Sequence, residues 1–261
     1  MISLRVLALA ALVGAGAYVP AVVAAPDEIV VFTDEFEKKG EVGYELHLNY
    51  AARARKIPDY PGEQAPHHVF RVMPEIVWGL SEKWNLGLHF PLSYDPATKS
   101  TKLDGAKVRL HYLNVNEHSP DSATFYGVNY EFSAYNKRIS ESRYNAELRG
   151  IAGVRTGAWK FSVNPILTRA LSNNPNGKHL EFEIFGQALR SFGDDFAVGI
   201  EHFASLGRLS NPTFGAQSEQ STFLVMEFKT KSHFEFHVGV GHGWTHPSDK
   251  RVFKALVGLP F

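Results

Sequence analysis

Alternation of apolar and polar residues is the dominant pattern along this chain of 261 residues. In segment 42–50, VGYELHLNY, every second residue from Val42 onward is apolar. The same period recurs in segments that begin near positions 70, 84, 106, 126, 144, 159, 180, 196, 222, 234 and 251. A period of two places alternate side chains on opposite faces of a β-strand. The pattern therefore predicts about twelve strands, each with one apolar face.

The lengths of the predicted strands and of their connections indicate a membrane-spanning barrel. Runs of about 9–11 residues cross a bilayer when tilted, whereas strands of soluble sandwiches usually have about 5–6 residues. Short connections such as 81–83 and 155–157 alternate with longer polar ones such as 51–67 and 205–219. Short periplasmic turns and longer extracellular loops are typical of transmembrane barrels. We expect residues 41–261 to form a closed, all-β, antiparallel transmembrane β-barrel of about 12 strands.

The polar faces of most of these strands carry ionisable residues. Each unpaired charge in a dry core would cost several kcal/mol. We therefore expect apolar side chains to face lipid and charged ones to face a hydrated lumen. The residues chosen as lumen-lining candidates are Glu45, Arg109, Glu131, Arg149, Glu183, Glu201 and Glu235. Two interpretations stay open, because these charges can form a selectivity lining or pair into ladders that fill and close a narrow barrel.

Both ends of the chain predict export to the bacterial outer membrane. Residues 1–25 combine one basic residue, an uncharged apolar run and a small-residue ending, as in a cleaved signal peptide. Residues 26–40 are assigned to a periplasmic N-terminal segment. The last strand has a wholly apolar face ending at Phe261, which resembles the C-terminal signal of outer-membrane barrels. The expected partners are therefore outer-membrane lipid and, through Phe261, the barrel-assembly machinery.

Composition excludes several kinds of chemistry. The formal net charge is +0, so a nucleic-acid partner is not expected. There are no cysteines, which removes disulfides and thiolate sites. The chain has 12 histidines. On their shared strand, His237 should face the lumen and His242 should face the lipid, so these two side chains cannot bind the same metal ion. We predict no metal site and no cofactor.

Several segments resemble the outer-membrane family named for the meta-pathway of phenol degradation. They are WNLGLHFPL at 84–92, AKVRLHY at 106–112, FAVGIEHFASLGR at 196–208 and the strand 239–243. The resemblance implies a barrel for the passage of small molecules, with apolar or aromatic compounds among the candidates. It identifies no substrate.

Passive passage of a small molecule is the function that we expect from this chain. A rival is a lipid-modifying hydrolase that uses His202 as base and Ser205 as nucleophile near the outer rim. Its spacing does not match the compact His-x-Ser-Asn signature of lipid A deacylases. A structural barrel without transport is the third interpretation.

Overall fold

The computed structural model describes residues 28–96, 98–172 and 179–259. The predicted signal peptide at 1–25 and Phe261, the predicted assembly residue, lie outside the described residues, as do residues 26 and 27. The described chain forms a closed antiparallel β-barrel with twelve strands in its wall, which confirms the predicted fold class. The barrel closes because β1 pairs with both β2 and β14.

Fourteen strands are present in the described residues. They are β1 Val42–Arg53, β2 Phe70–Ser81, β3 Trp84–His89, β4 Leu92–Asp95, β5 Ser100–Leu103, β6 Gly105–Ser119, β7 Ser122–Tyr135, β8 Tyr144–Thr156, β9 Trp159–Ala170, β10 Leu180–Ser191, β11 Phe196–Arg208, β12 Glu219–Lys229, β13 Glu235–Gly243 and β14 Arg251–Leu259. All except β4 and β5 form the wall. A 3-10 turn at Gly215–Gln217 precedes β12.

Pro91 divides one predicted strand into two. The alternating run that begins at Trp84 stops at His89 and resumes as β4, which pairs with the start of β2 and with β5. Proline has no backbone N–H to donate to a ladder. The interruption separates β4 from β3, and β4 and β5 form a hairpin that extends the sheet from the first residues of β2.

Side-chain orientation follows the predicted alternation. On β11, Ile200 is 53% exposed whereas the neighbouring Glu201 is 0% exposed. The same contrast separates Leu224, at 56%, from Val225, at 0%. No described segment forms a helix that is long and apolar enough to cross a membrane.

The two rims of the barrel differ in the length of their connections. One rim, here called the short-turn rim, carries tight links such as Glu82–Lys83 and Gly157–Ala158, together with the start of β1 and the end of β14. The opposite, long-loop rim carries the connections after Arg53, Tyr135, Ala170, Arg208 and Gly243. This layout is the predicted one.

The interior differs from the expected hydrated lumen. Residues 28–40, here called the lumenal segment, pack inside the barrel between the strands. One hydrophobic cluster joins Phe32 and Phe36 of this segment to Leu113, Phe125 and Ile151 of the wall. A second cluster contains Val31 with Leu189, Ala197, Phe203, Phe223 and Val225. The expectation of charges in water throughout the lumen is therefore wrong at this level, because an apolar strip of the same chain covers the wall there.

Candidate functional site

The lumenal segment reaches the short-turn rim at Gly40 and is fixed there by the barrel wall. The Gly40 amide donates to the Gly79 carbonyl over 2.8 Å, and the Gly79 amide donates to Glu41 over 3.0 Å. Gly79 must be a glycine for this contact, because a Cβ atom there would lie 1.9 Å from the Lys38 carbonyl oxygen. A missing side chain thus lets the segment enter the barrel close to β2.

Asn164 holds the middle of the segment through two complementary hydrogen bonds. The Phe32 amide donates to Asn164 Oδ1 over 2.7 Å, and Asn164 Nδ2 donates to the Phe32 carbonyl over 3.0 Å. Ser162 Oγ donates to the same carbonyl over 2.6 Å. Both side chains point inward from β9, and Asn164 is 0% exposed. A side-chain amide here replaces the strand partner that the segment lacks, since residues 28–40 form no strand.

Two guanidinium groups lie over the ring of Phe32. The Arg109 and Arg149 Cζ atoms are each 4.5 Å from the ring centroid. The His111 ring stacks on Phe32 with 5.5 Å between centroids. Cations over an aromatic face are attracted by its quadrupole, and the attraction grows where water is excluded. Phe32 is therefore held by charge as well as by apolar contact.

A buried ionic network surrounds the start of the described segment. Arg109 donates to Glu28 over 2.6 Å, to Glu75 over 2.7 Å and to Glu131 over 3.0 Å. Lys107 forms ion pairs with Glu28 and, at 2.9 Å, with Glu131. All five side chains are at least nine-tenths buried. One arginine therefore links the segment to β2 and β7 and neutralises carboxylates that would otherwise repel one another.

A second network lies on the opposite part of the wall. Lys254 of β14 pairs with Glu201 of β11 and donates to the carbonyl of Ile29 over 2.9 Å. His237 Nε2 lies 3.2 Å from Glu201. Arg149 donates to the Val30 carbonyl over 3.1 Å. The segment is thus bonded to β6, β8, β9 and β14, which are spread around the ring.

The part of the segment nearer the short-turn rim forms its own ion pairs. Lys160 Nζ lies 2.9 Å from Glu35 and 3.5 Å from Asp34. Arg155 Nε lies 3.5 Å from Asp34. These contacts place acidic residues of the segment against basic residues near the short-turn rim.

The structure separates the seven lumen-lining candidates into groups. Arg109 and Glu131 share one network, Arg149 bonds to Glu147 and the segment, and Glu201 belongs to the second network. Glu45 is less buried, with its side chain 34% exposed. Glu183 points inward from the long-loop half of β10 and is half-buried. Glu235 sits at the short-turn rim, 2.5 Å from Lys229.

The hydrolase residues do not come together. His202 faces outward, where its Nδ1 lies 2.9 Å from Thr222 Oγ1. Ser205 is three residues along the same strand, faces inward and is 8% exposed. Two residues on opposite faces of one strand are not within proton-transfer reach of each other.

Two groups of carboxylates and imidazoles lie within reach of a common point. They are Glu28, Glu75 and His89, and Glu45, His47 and Glu75. Arg109 already pairs with both Glu28 and Glu75, so the negative charge that a cation would need is largely taken. His237 and His242 point to opposite faces, since His237 bonds inside to Glu227 and His242 packs on Trp244.

Sequence reasoning missed the residues that fill the lumen. Glu28 and Phe32 lie in a stretch with no period of two, so alternation does not place them inside. Ser162 and Asn164 fall on the predicted polar face of β9, but the alternation does not show that their partner is backbone from position 32. The mixture of acidic and apolar residues in 28–40 is the one sequence feature that is consistent with a position inside the barrel.

Comparison with solved structures places this fold among outer-membrane barrels. The COG4313 outer membrane channel from Pseudomonas putida F1 superposes with a TM-score of 0.62 at 9% identity, covering 90% of this chain and 100% of that chain. The NanC porin gives 0.54 at 10% identity, covering 84% and 100%. The KdgM porin gives 0.51 at 13% identity, covering 84% and 99%. No protein-family model and no curated protein matches the sequence. The likeness at these identities is one of fold: a closed outer-membrane β-barrel.

Proposed function

We propose that this barrel lies in the bacterial outer membrane and passes small solutes passively, with the lumenal segment as its closure. In this account residues 1–25 direct export and Phe261 directs assembly. The observation that carries the proposal is the way in which residues 28–40 are held. Apart from the backbone bond of Gly40 to Gly79 at the rim, the hydrogen bonds described above join them to the wall through side chains such as Asn164 and Lys254, and they form no strand. A segment held in this way can leave the lumen without opening the wall.

The solute is expected to be hydrophilic. Glu45, Glu147 and Glu183 are inward-facing and only partly buried, so they line the part of the lumen that the segment leaves accessible. Carboxylates in a narrow, low-dielectric passage favour cations and dipolar solutes over anions. The solute would enter at the long-loop rim and leave at the short-turn rim, which faces the periplasm in barrels of this layout.

An aromatic solute, which the family resemblance implies, has one observation in its favour. The site of the Phe32 ring, beside Arg109, Arg149 and His111, accepts an aromatic group inside the lumen. A solute ring could occupy that site only after Phe32 has left it. Aromatic passage is therefore the second candidate, and it depends on the same movement of the segment.

Conductance in a planar bilayer tests the proposal. Asn164→Ala removes two hydrogen bonds from the closed state, which is about 2 kcal/mol at roughly 1 kcal/mol for each bond. We expect the open fraction of the variant to rise about 30-fold over that of the wild type, since 1.4 kcal/mol is about tenfold. Openings should favour cations over anions.

Asn114→Ala is the matched control. Asn114 is also buried, but its amide bonds to Lys83 and Asn116 near the short-turn rim and does not touch the segment. Its conductance should equal that of the wild type. Silence of the wild type and of Asn164→Ala at all voltages would favour a structural barrel and contradict the proposed function.

A further inference from the structure

An open groove lies on the outer face of the wall, where β9, β10 and β11 run side by side. Its floor is β10, whose outward positions Gly186 and Ala188 carry no bulky side chain. Larger outward side chains of the two neighbouring strands form its sides, namely Phe161, Val163, Ile200 and His202. The volume of the groove is about 620 Å³, within the range of about 300–1,000 Å³ that is usual for small-molecule sites.

Arg190 lies at the end of the groove that is nearer the short-turn rim. It is the next outward position of β10 after Ala188, and its side chain is exposed. Its Cζ atom is 5.7 Å from the ring centroid of Trp159 and 5.1 Å from that of Phe192. Aromatic rings at this level of a transmembrane barrel belong to its interfacial girdle. The guanidinium group is therefore at the level of lipid headgroups.

The charge of Arg190 has no carboxylate partner in the described part of the chain. Its guanidinium contacts the two aromatic rings, and neither Asp194 nor Asp195 of the following turn forms an ion pair with it. A guanidinium has five N–H donors, and contacts with ring faces do not use them as a carboxylate would. These donors match the oxygens of a phosphate in geometry and in charge. The exposed cation is thus complementary to an anionic headgroup.

The position of the groove indicates which part of a lipid fits it. At about 3.4 Å per residue, Gly186 lies about 14 Å along β10 from Arg190, and a tilt near 45° makes this about 10 Å of depth. The groove therefore runs from the headgroup level into the hydrocarbon core, which is about 30 Å thick. Its sides are apolar except for His202 at the far end, whose Nδ1 already bonds to Thr222. An acyl chain that is joined to a phosphate can follow this course.

We propose that this groove binds one acyl chain of an anionic glycerophospholipid, whose phosphate accepts hydrogen bonds from Arg190. The lipid belongs to the leaflet at the short-turn rim. A second copy of the barrel fits this face less well, because a twofold pairing through the groove would bring two Arg190 side chains of equal charge together. The inference requires that the outer face meets lipid, but it does not require that the barrel conducts.

Native mass spectrometry of the full barrel, released from a non-ionic detergent, tests the site with phosphatidylglycerol as the probe. The measured quantity is the dissociation constant of the first bound lipid. We expect Arg190→Gln to raise this constant about tenfold, the loss for a hydrogen bond to a charged group. Ala188→Leu keeps the arginine but fills the floor of the groove, and it should also raise the constant. Diacylglycerol, which has the same chains without the phosphate, should bind the wild type about tenfold more weakly than phosphatidylglycerol does.

Each variant has a matched control on the same outer surface. Arg169→Gln removes an exposed arginine at the long-loop end of β9, and Ala255→Leu enlarges an outward alanine of β14, away from the groove. Both should bind phosphatidylglycerol like the wild type. Equal weakening in Arg190→Gln and Arg169→Gln, unchanged binding in Ala188→Leu, or a dimer of the chain that Ala188→Leu dissociates would overturn the inference. Lipid binding at the groove by a barrel that never conducts would contradict the proposed function alone.

Discussion

Arg109 illustrates, at the scale of single residues, what the sequence predicts and what it does not. Alternation places Arg109 on the inner face, and the structure agrees. The sequence does not show that its three carboxylate partners come from β2, β7 and the lumenal segment. Pairing of this kind depends on register and on where an aperiodic segment runs. Arg109, Glu131 and Glu201 are each ion-paired, as the second of the two interpretations of the charges expects.

Replacing Arg109 should destabilise the barrel strongly. Arg109→Ala would leave Glu28, Glu75 and Glu131 facing one another in a buried site, which costs about 3–5 kcal/mol. We expect a loss of that size in the free energy of unfolding, measured by denaturant titration in lipid vesicles. A loss of conduction in Arg109→Ala would therefore reflect unfolding of the barrel and would not identify Arg109 as part of a solute path.

Lys229→Ala provides the comparison for Arg109. Lys229 and Glu235 form an ion pair at the rim, with side chains 55% and 56% exposed. Exposed pairs contribute at most about 1 kcal/mol. An equal loss in both variants would contradict the assignment of the Arg109 network as a buried one.

The strands are the elements that sequence reasoning predicted best. Outward and inward positions alternate along the wall strands as predicted, because a period of two is read directly from the residues. Some inward positions, such as Phe223 and Val225, are nevertheless apolar. The structure departs from the strand prediction in two places, and in neither is the structure determined by the period of two. Pro91 ends β3 early, since proline withholds a ladder donor, and residues 28–40 enter the lumen without any period.

A charge on the lipid face of a strand should be costly. Leu224 lies at the middle of β12, faces outward and is 56% exposed. Leu224→Arg should lower the free energy of unfolding in vesicles by about 2–4 kcal/mol, the cost of arginine near the bilayer midplane. Ile57→Arg is the control, since Ile57 is 75% exposed in the β1–β2 loop, outside the wall. Equal stability of the two variants would show that the outer face of β12 does not meet lipid.

The whole molecule combines a rigid wall with an internal closure taken from its own N-terminal region. The wall is continuous, because every strand in it pairs with two neighbours. The segment inside is held by hydrogen bonds from side chains on several strands, by the contacts of Phe32 with Arg109 and Arg149, and by two ionic networks. Under the proposed function, passage through such a barrel would be controlled by the segment and not by the strands. The sequence could predict the wall but not this occupant.

Protection of a single cysteine at position 31 tests most directly whether the segment occupies the lumen. The chain has no cysteine, and Val31 is 3% exposed inside the barrel. In Val31→Cys, the thiol should react with a water-soluble maleimide far more slowly than the thiol of Ile57→Cys, and Asn164→Ala in the same chain should speed its labelling. Labelling of position 31 as fast as position 57 in the chain that keeps Asn164 would contradict the lumenal closure.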